Sequence, residues 1–270
     1  MVSPKEELRA FFDPRSVAVV GASPIAHKVG NIIVHNLIEN KERGLLKAEL
    51  FPVNPRYPTI LGQKCYPSLR DLPQDLETLV VVIPAEGVPQ VIEEGASKNA
   101  KAAIVISSGF REVGNTELDE RLTKAGKESG IRIIGPNCLG IYDPYSGMDT
   151  LFLPEVKMLS SGREVVATPR PLPGYISLIS QSGGFGVAAL DYMAGSMMGV
   201  RAFVSLGNRC DVDEHELLAF FRQDEKTRVV LLYLEGLKGG REFLNAARQF
   251  TRSKPIVALK SGRTEAGARA

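Results

Sequence analysis

The 270-residue sequence predicts an α/β fold made of two domains, each built around a parallel sheet. Short runs of aliphatic and β-branched residues alternate with longer stretches of helical periodicity, which is the pattern of βαβ units. The runs are continuously apolar, as expected for strands that are buried on both faces. The length agrees, because 270 residues exceed the usual size of a single core.

The first half of the chain contains strands and helices in the order of a Rossmann-like domain. Strands are expected at 16–20, 48–53, 78–83, 101–106 and 131–134. Helices are expected at 28–41, 88–99 and 115–129. A short amphipathic segment precedes them at the N-terminus. We place this first domain at residues 1–145.

A segment rich in proline and glycine, residues 146–174, is predicted to connect the first domain to the second. The alternation then restarts over residues 175–270 and predicts a flavodoxin-like domain. Strands are expected at 175–180, 200–205, 228–234 and 255–260, with helices near 184–197, 212–223 and 240–252. The last segment, SGRTEAGARA, has no helix cap, so we expect this domain to be incomplete at its C-terminal end.

Composition excludes several classes of protein. The net charge is only +2 and the basic residues are interspersed with acidic ones, which argues against nucleic acid or membrane partners. The three cysteines, Cys65, Cys138 and Cys210, form no CxxC pair, so neither a disulfide framework nor a metal site is predicted. No segment resembles a signal peptide or spans a bilayer, and we therefore expect a cytoplasmic protein.

A glycine turn after the first strand is a candidate phosphate site. Glycine lets the backbone approach a phosphate, and the following helix supplies free N–H groups and a positive dipole. The residues concerned are Gly21, Ala22, Ser23, Lys28, Val29 and Gly30. A diphosphate is the expected ligand. The strict GxGxxG pattern is absent, so a purely structural turn stays open.

The end of the second strand argues against NAD. A nicotinamide site needs a carboxylate there for the ribose diol, whereas this chain has Asn54, Pro55 and Arg56. Lys28 and Arg56 would suit an additional phosphate, such as the 3′-phosphate of coenzyme A or the 2′-phosphate of NADP. Two ordinary exposed cations are the alternative.

Loops of small or rigid residues follow the remaining strands of the first half. The carboxyl ends of parallel strands meet at one edge of a sheet, so these loops are expected to line one crevice. Their candidate residues are Ile83, Pro84, Ser107, Ser108, Gly109, Phe110, Asn137 and Cys138. No base follows Cys138, which favours a small loop residue over a nucleophile.

The second half has its own candidate anion site between a strand and a helix start. The residues are Ser180, Gln181, Ser182, Gly183 and Gly184. A flexible glycine turn is the alternative. Glu235 ends an apolar strand and is expected to face the same crevice, unless it caps the helix near Gly239.

Several segments together resemble the NDP-forming acyl-CoA synthetases, in particular the archaeal ADP-forming acetyl-CoA synthetases and, more distantly, the α subunit of succinyl-CoA synthetase. They run in family order over nearly the whole chain and include FFDPRSVAVVGAS, FPVNPRY, IVISSGF, IGPNCLGI, LISQSGGFG, SLGNRCDVDEHELL and ALKSGRTEAGARA. The resemblance implies a CoA-binding first domain followed by a succinyl-CoA-synthetase-type flavodoxin-like domain.

The resemblance also implies roles for the candidate residues. The first glycine turn would contact the phosphates of CoA. The loop at Asn54, with Ile83 and Pro84, would hold the adenosine end, and the loops at Ser107 and Asn137 would follow the pantetheine arm. Residues 180–184 would bind phosphate, and Glu235 would hydrogen-bond the histidine that carries phosphate. Gly207, Asn208, Arg209 and Asp211 would shape the same pocket.

The family reaction converts acyl-CoA, ADP and phosphate into acid, CoA and ATP through acyl phosphate and phosphohistidine. ADP or ATP and Mg²⁺ are expected on a β-type ATP-grasp subunit or fused domain, giving a hetero-oligomer. The relay histidine is expected a few residues beyond GARA, and His27, His35 and His215 do not match it. The chain is then either a fragment that is inactive alone or a family member that lost the phosphate-carrying histidine.

Two other functions stay open. A non-catalytic CoA-binding module, such as the regulatory part of an acyltransferase, would need only the first domain's site. An NAD(P)-dependent oxidoreductase would need tight dinucleotide binding. The sequence assigns neither the acyl substrate nor a preference between ADP and GDP.

Overall fold

The structure, a computed structural model, describes residues 4–262 and contains two main sheets flanked by helices. The first half holds α1 (Pro4–Phe12), β1 (Ser16–Val20), α2 (Val29–Glu42), β2 (Glu49–Val53), β3 (Thr59–Ile60), β4 (Gln63–Lys64), β5 (Thr78–Val81), α3 (Val88–Ala96), β6 (Ala102–Val105), α4 (Thr116–Ser129) and β7 (Arg132–Ile134). Most element ends lie within three residues of those predicted from sequence, which confirms the α/β fold.

The first sheet has the strand order β2-β1-β5-β6-β7, and all of its pairs are parallel. After β1, the chain adds β2 on one side of it and then returns to add β5, β6 and β7 on the other side. The reversal falls between β1 and β5. Ligands of open α/β sheets bind beyond the carboxyl ends of the strands at such a reversal. The first glycine turn, directly after β1, lies at this point.

The second half of the chain builds a second, six-stranded sheet. Its elements are β8 (Ile141–Asp143), β9 (Met148–Asp149), β10 (Val156–Met158), β11 (Glu164–Val166), β12 (Pro173–Ser180), α5 (Gly183–Gly195), β13 (Val200–Ser205), α6 (Glu214–Gln223), β14 (Val229–Leu234), α7 (Gly240–Phe250) and β15 (Ile256–Lys260). The order is β15-β14-β12-β13-β8-β9, so its parallel part reverses between β12 and β14.

Residues 141–149 join the second sheet, although the sequence placed them in the first domain and the connection. β8 pairs antiparallel with β13, with Tyr142 opposite Phe203. Strands of three and two residues are too short to show a periodicity, so only tertiary pairing reveals them. The connection also contains the β10–β11 hairpin. The limits 1–145 and 175–270 stay predictions, and residues 263–270 lie outside the described part.

A shared core joins the two sheets. Phe12 of α1, 2% exposed, stacks on Phe220 of α6 with ring centroids 4.5 Å apart and contacts the edge of Phe221. Arg132 at the start of β7 forms an ion pair of 2.9 Å with Asp211, which follows β13. Both sheets therefore present the carboxyl ends of their strands to a common cleft.

Within residues 4–262, no helix combines the length and the apolar character needed to cross a membrane. The cytoplasmic location stays a prediction.

Candidate functional site

A cleft of about 880 Å³ lies between the two sheets and is lined by loops from both. The residues predicted from sequence that line it are Val29, Ile83, Pro84, Ser107, Ser108, Asn137, Cys138, Gln181, Ser182, Gly183, Gly184 and Glu235. Val29 is the one residue of the first glycine-turn set on the described wall, and the loop at Asn54 contributes none to it. The structure thus brings most candidates of both halves into one space.

The first glycine turn is packed too closely for any side chain. Gly21 has φ +94°, and a Cβ there would lie 2.6 Å from the carbonyl oxygen of Val82. A Cβ on Gly30 would lie 2.1 Å from the carbonyl oxygen of Gly21. The start of α2 therefore rests on the turn itself. α2 has no side-chain cap, which leaves N–H groups of its first turn available to an anion.

Asn54 supports the turn from the neighbouring strand. Its Nδ2 donates to the carbonyl oxygen of Ala22 at 2.8 Å, and its Oδ1 accepts from the backbone N–H of Arg56 at 2.9 Å. These bonds engage both ends of the amide. Pro55, Arg56 and Lys28 are exposed. Both cations are therefore accessible to a phosphate at the surface.

The loop after β6 lines the cleft with Ile106, Ser107 and Ser108. The Ser107 hydroxyl donates to the carbonyl oxygen of Ile83 at 2.6 Å. Phe110 was predicted to lie along the pantetheine arm, but its side chain is fully buried in the first domain's core. An aromatic side chain after a strand end can face either way, and here the apolar interior holds it.

Glu112 lines the cleft and was not predicted from sequence. Its Oε1 accepts from the backbone N–H of Gly109 at 2.6 Å, and its Oε2 accepts from Asn208 Nδ2 at 2.5 Å. Burial would raise the pKa of this carboxyl, but the hydrogen bonds from Asn208 and Gly109 hold it below its usual value. Glu112 therefore joins the first domain to the second beside the cleft. No sequence signal distinguishes it from other loop carboxylates.

Cys138 is not poised to act as a nucleophile. Its Sγ lies 3.3 Å from the carbonyl oxygen of Val105, and burial raises the pKa of the thiol to about 12. This agrees with the sequence interpretation. Asn137, by contrast, is exposed and adopts φ +57°, in the left-handed region that asparagine tolerates.

The start of α5 forms the second-domain wall. Ser182 caps this helix, accepting from the N–H of Phe185 at 3.3 Å. A Cβ on Gly184 would meet no atom within 4 Å, and one on Gly183 only Leu139 at 3.7 Å, so this helix start is open to the cleft. The Ser180 hydroxyl instead donates to the carbonyl oxygen of Ser182 and is fully buried.

Glu235 directly follows β14 and is exposed to the cleft. Helix α7 begins after Gly239 without a side-chain cap bond, so Glu235 does not cap it. The Gln181 side chain, predicted as a phosphate ligand, is engaged with this strand end. Its Oε1 accepts from the N–H groups of Glu235 at 2.7 Å and Gly236 at 3.0 Å.

The remaining polar candidates are outside the cleft or at its rim. Gly207 and Asn208 line it, whereas Asp211 bonds Arg132 and the N–H of Ile133 between the sheets. The cleft lining within the described chain includes no histidine, lysine or arginine. Its apolar wall also includes residues that were not predicted, among them Leu139, Phe152, Leu153 and Val187.

Comparison with known proteins agrees with this architecture. Residues 15–144 match a family model described as a CoA binding domain, and residues 173–270 match a succinyl-CoA ligase like flavodoxin domain. An acetate–CoA ligase [ADP-forming] of Methanocaldococcus jannaschii is 41% identical over 98% of this chain. The chain belongs to the ADP-forming acyl-CoA synthetase family.

Two further relatives support this family assignment. The acetate–CoA ligase [ADP-forming] I subunit alpha of Pyrococcus furiosus is 38% identical over 97% of the chain. A solved acetyl-coenzyme A synthetase 1 of Ca. Korarchaeum cryptofilum, in complex with phosphate and ADP, superposes with a TM-score of 0.87 at 37% identity and covers 97% of the chain.

The chain spans only part of these relatives. It covers 34% of the Methanocaldococcus jannaschii protein, 54% of the Pyrococcus furiosus subunit and 53% of the Korarchaeum cryptofilum chain. The chain therefore corresponds to an α-type segment of the family.

Proposed function

We propose that this chain is the CoA-binding, α-type part of an ADP-forming acyl-CoA synthetase. In the reaction, acyl-CoA and phosphate give acyl phosphate and CoA. The phosphoryl group then passes to a histidine, which releases the free acid, and from the histidine to ADP, which gives ATP. The relatives are named for acetate and for ADP, which supports both as substrates of the complete enzyme. Mg²⁺ and the nucleotide would bind to an ATP-grasp partner subunit or domain.

One observation supports this proposal most directly. The cleft is lined by loops that follow strands of the first sheet and by the α5 start and Glu235 of the second, so a ligand that lies along the first domain's loops ends at the α5 start and Glu235. An acyl group that leaves a thiol and a phosphate that receives it must meet in such a space. Helix N–H groups at Gly183 and Gly184 suit the phosphate.

The first domain's residues would bind CoA in order along its length. The α2 start would receive the diphosphate, and Lys28 and Arg56 the 3′-phosphate. Ile83 and Pro84 would flank the adenosine end, and Ser108 and Asn137 the pantetheine arm. Glu235 would accept a hydrogen bond from the phosphate-carrying imidazole, holding that ring in place.

Calorimetric titration of the 270-residue chain tests CoA binding. We expect saturable binding of CoA and no binding of NADPH at the same concentrations. Changing Lys28 and Arg56 together to alanine should weaken CoA about tenfold, the loss of one good charge-assisted contact, and leave dephospho-CoA unchanged.

Arg70→Ala provides the matched control, because Arg70 is exposed and lies outside the cleft. It should change neither affinity. Tight NADPH binding with no CoA binding would refute the proposed function. Equal weakening of CoA and dephospho-CoA would refute the assignment of Lys28 and Arg56 to the 3′-phosphate.

A further inference from the structure

Gln181 lies at the centre of a polar cluster beneath the second-domain wall. We use the term Gln181 cluster for the side chains of Gln181, Arg209 and Glu214 together with the backbone of residues 235–236. The Gln181 Oε1 accepts both N–H groups of that backbone, and its Nε2 donates to the carbonyl oxygen of Gly236 at 2.7 Å and to the carboxyl of Glu214. All four hydrogen-bonding positions of the amide are thereby used.

Arg209 closes the cluster from the end of β13. Its Nη1 donates to the carbonyl oxygen of Gly236 at 3.0 Å and to Glu214 at 3.1 Å. Gln181 and Glu214 are 7% and 1% exposed. Three strand exits and the start of α6 are therefore tied together by one buried amide, one carboxyl and one guanidinium.

The cluster fixes Glu235 through its backbone alone. Within residues 4–262, the Glu235 carboxylate has no hydrogen bond or ion pair, whereas its N–H is bonded to Gln181. Gln181 also directly precedes Ser182, the cap of α5. Beyond the backbone pairing of β12 and β14, the Gln181 side chain thus links the Glu235 backbone to the N-terminus of α5.

Resting on the proposed function, we infer that Gln181 and Glu214 are positioning residues for phosphoryl transfer. They hold Glu235 and the α5 start at a fixed separation, so that both can act on one tetrahedral phosphoryl group. The helix start donates hydrogen bonds to the phosphoryl oxygens, while Glu235 accepts one from the imidazole that carries the group. Because a carboxylate too close to an anion repels it, this separation decides whether the site binds phosphate.

Anion titration of the chain tests the inference. Inorganic phosphate and sulfate are the probes, and NMR follows the amide signals of Gly183, Gly184 and Glu235. In the native chain, we expect both anions to shift these signals saturably. Gln181→Leu keeps the size of the side chain but removes its hydrogen bonds, so the dissociation constant should rise about tenfold and the Glu235 amide signal should broaden.

Gln181→Glu gives a readout that a general loss of stability would not produce. The new carboxyl keeps the acceptor for Glu235 and Gly236 but, when ionised, opposes the Glu214 carboxyl and the Gly236 carbonyl oxygen. When protonated, it can donate again. The charged groups around the new carboxyl are Glu214 on α6, Arg209 after β13 and Glu235 after β14. Asp213 lies behind Arg209, with which it forms an ion pair.

The affinity of Gln181→Glu for sulfate, relative to the native chain, should therefore recover as pH falls from 8 to 6. Sulfate keeps its charge over this range, and the ratio cancels effects common to both proteins. Gln249→Leu on the exposed face of α7 makes the same chemical change outside the cluster and should bind as the native chain does. Glu214→Gln is a second variant if Gln181→Leu does not fold, and it should weaken phosphate about threefold.

Each outcome separates this inference from the proposed function. CoA affinity should stay within twofold of native in all variants, since the first domain is untouched. Unchanged phosphate affinity in Gln181→Leu, or a pH-independent defect in Gln181→Glu, would overturn the inference while leaving CoA binding intact. If the native chain bound no CoA, the proposed function would be overturned instead.

Discussion

Glu214 is a buried carboxyl of the second domain, only 1% exposed. Burial and the neighbouring Asp213 carboxylate raise its pKa to about 7, although Arg209 and Gln181 oppose the shift. A carboxyl whose pKa is raised by folding holds a proton in the native state that the unfolded chain has already released. Its contribution to stability is therefore complete at low pH and declines as the pH rises toward neutrality.

Glu214→Gln should remove this pH dependence. The free energy of unfolding of the native chain, minus that of the variant, is expected to fall as the pH rises from 5 to 8, because the native carboxyl must then ionise in the interior. Urea denaturation at four pH values measures it. Glu225→Gln, at an exposed position, is the control and should show no such trend. If the difference in free energy of unfolding between the native chain and Glu214→Gln did not change with pH, the raised pKa of Glu214 would be contradicted.

At the scale of elements, the contact between α2 and the turn after β1 is the tightest in the first domain's site. The missing side chains of Gly21 and Gly30 allow the helix start to approach the turn backbone. The distance matters for binding, because the N–H groups of α2 can reach a phosphate only if no side chain separates them from the turn.

Gly30→Ala should destabilise the chain and impair CoA binding. Its Cβ would lie 2.1 Å from the carbonyl oxygen of Gly21, and backbone cannot give way as a flexible side chain can. A loss of about 2–3 kcal/mol is expected from overpacking. Urea denaturation and calorimetry measure the two effects.

Gly240→Ala is the control, since a Cβ at the start of α7 meets no atom within 4 Å. Its effect on stability should be small and CoA binding should be unchanged. Native-like stability in Gly30→Ala would show that α2 can move away from the turn.

For the whole molecule, the shared core makes the two sheets one structural unit. One apolar cluster includes Val17 of β1, Phe12 of α1, Ile179 of β12 and Phe221 of α6. Because the cleft lies between the sheets, this core also fixes its width. The candidate site therefore depends on side chains far from any ligand.

Phe12→Ala should loosen the junction between the sheets. Loss of a buried aromatic ring that stacks on Phe220 is expected to cost about 3–5 kcal/mol. If the two halves keep separate stability, unfolding should split into two transitions by calorimetry. Phe12→Leu, which keeps most of the apolar volume, should retain a single transition, and Val113→Ala at an exposed site should have little effect. A single, unshifted transition in Phe12→Ala would contradict a coupling role.

Most of the elements and the location of the candidate site follow from local patterns in the amino-acid sequence. Strands such as β1 and β14 are continuous apolar runs, so their periodicity and their ends are local properties. Gly21 and Glu235 follow strand ends directly and Ser182 comes two residues after one, and a parallel sheet brings such positions to one edge. Family resemblance added the roles proposed for them.

Which side chains face the cleft and which support it depends on the packing of the folded chain. The Phe110 side chain is buried in the core, Gln181 bonds the backbone of Glu235, and Glu112 bonds Asn208 of the second domain. These orientations depend on partners that are distant in sequence, so no local pattern predicts them. The short strands β8 and β9 likewise acquired their place by pairing with β13. A local sequence pattern indicates whether a side chain is apolar or able to form hydrogen bonds. The residue that it contacts is determined by how the two sheets pack together.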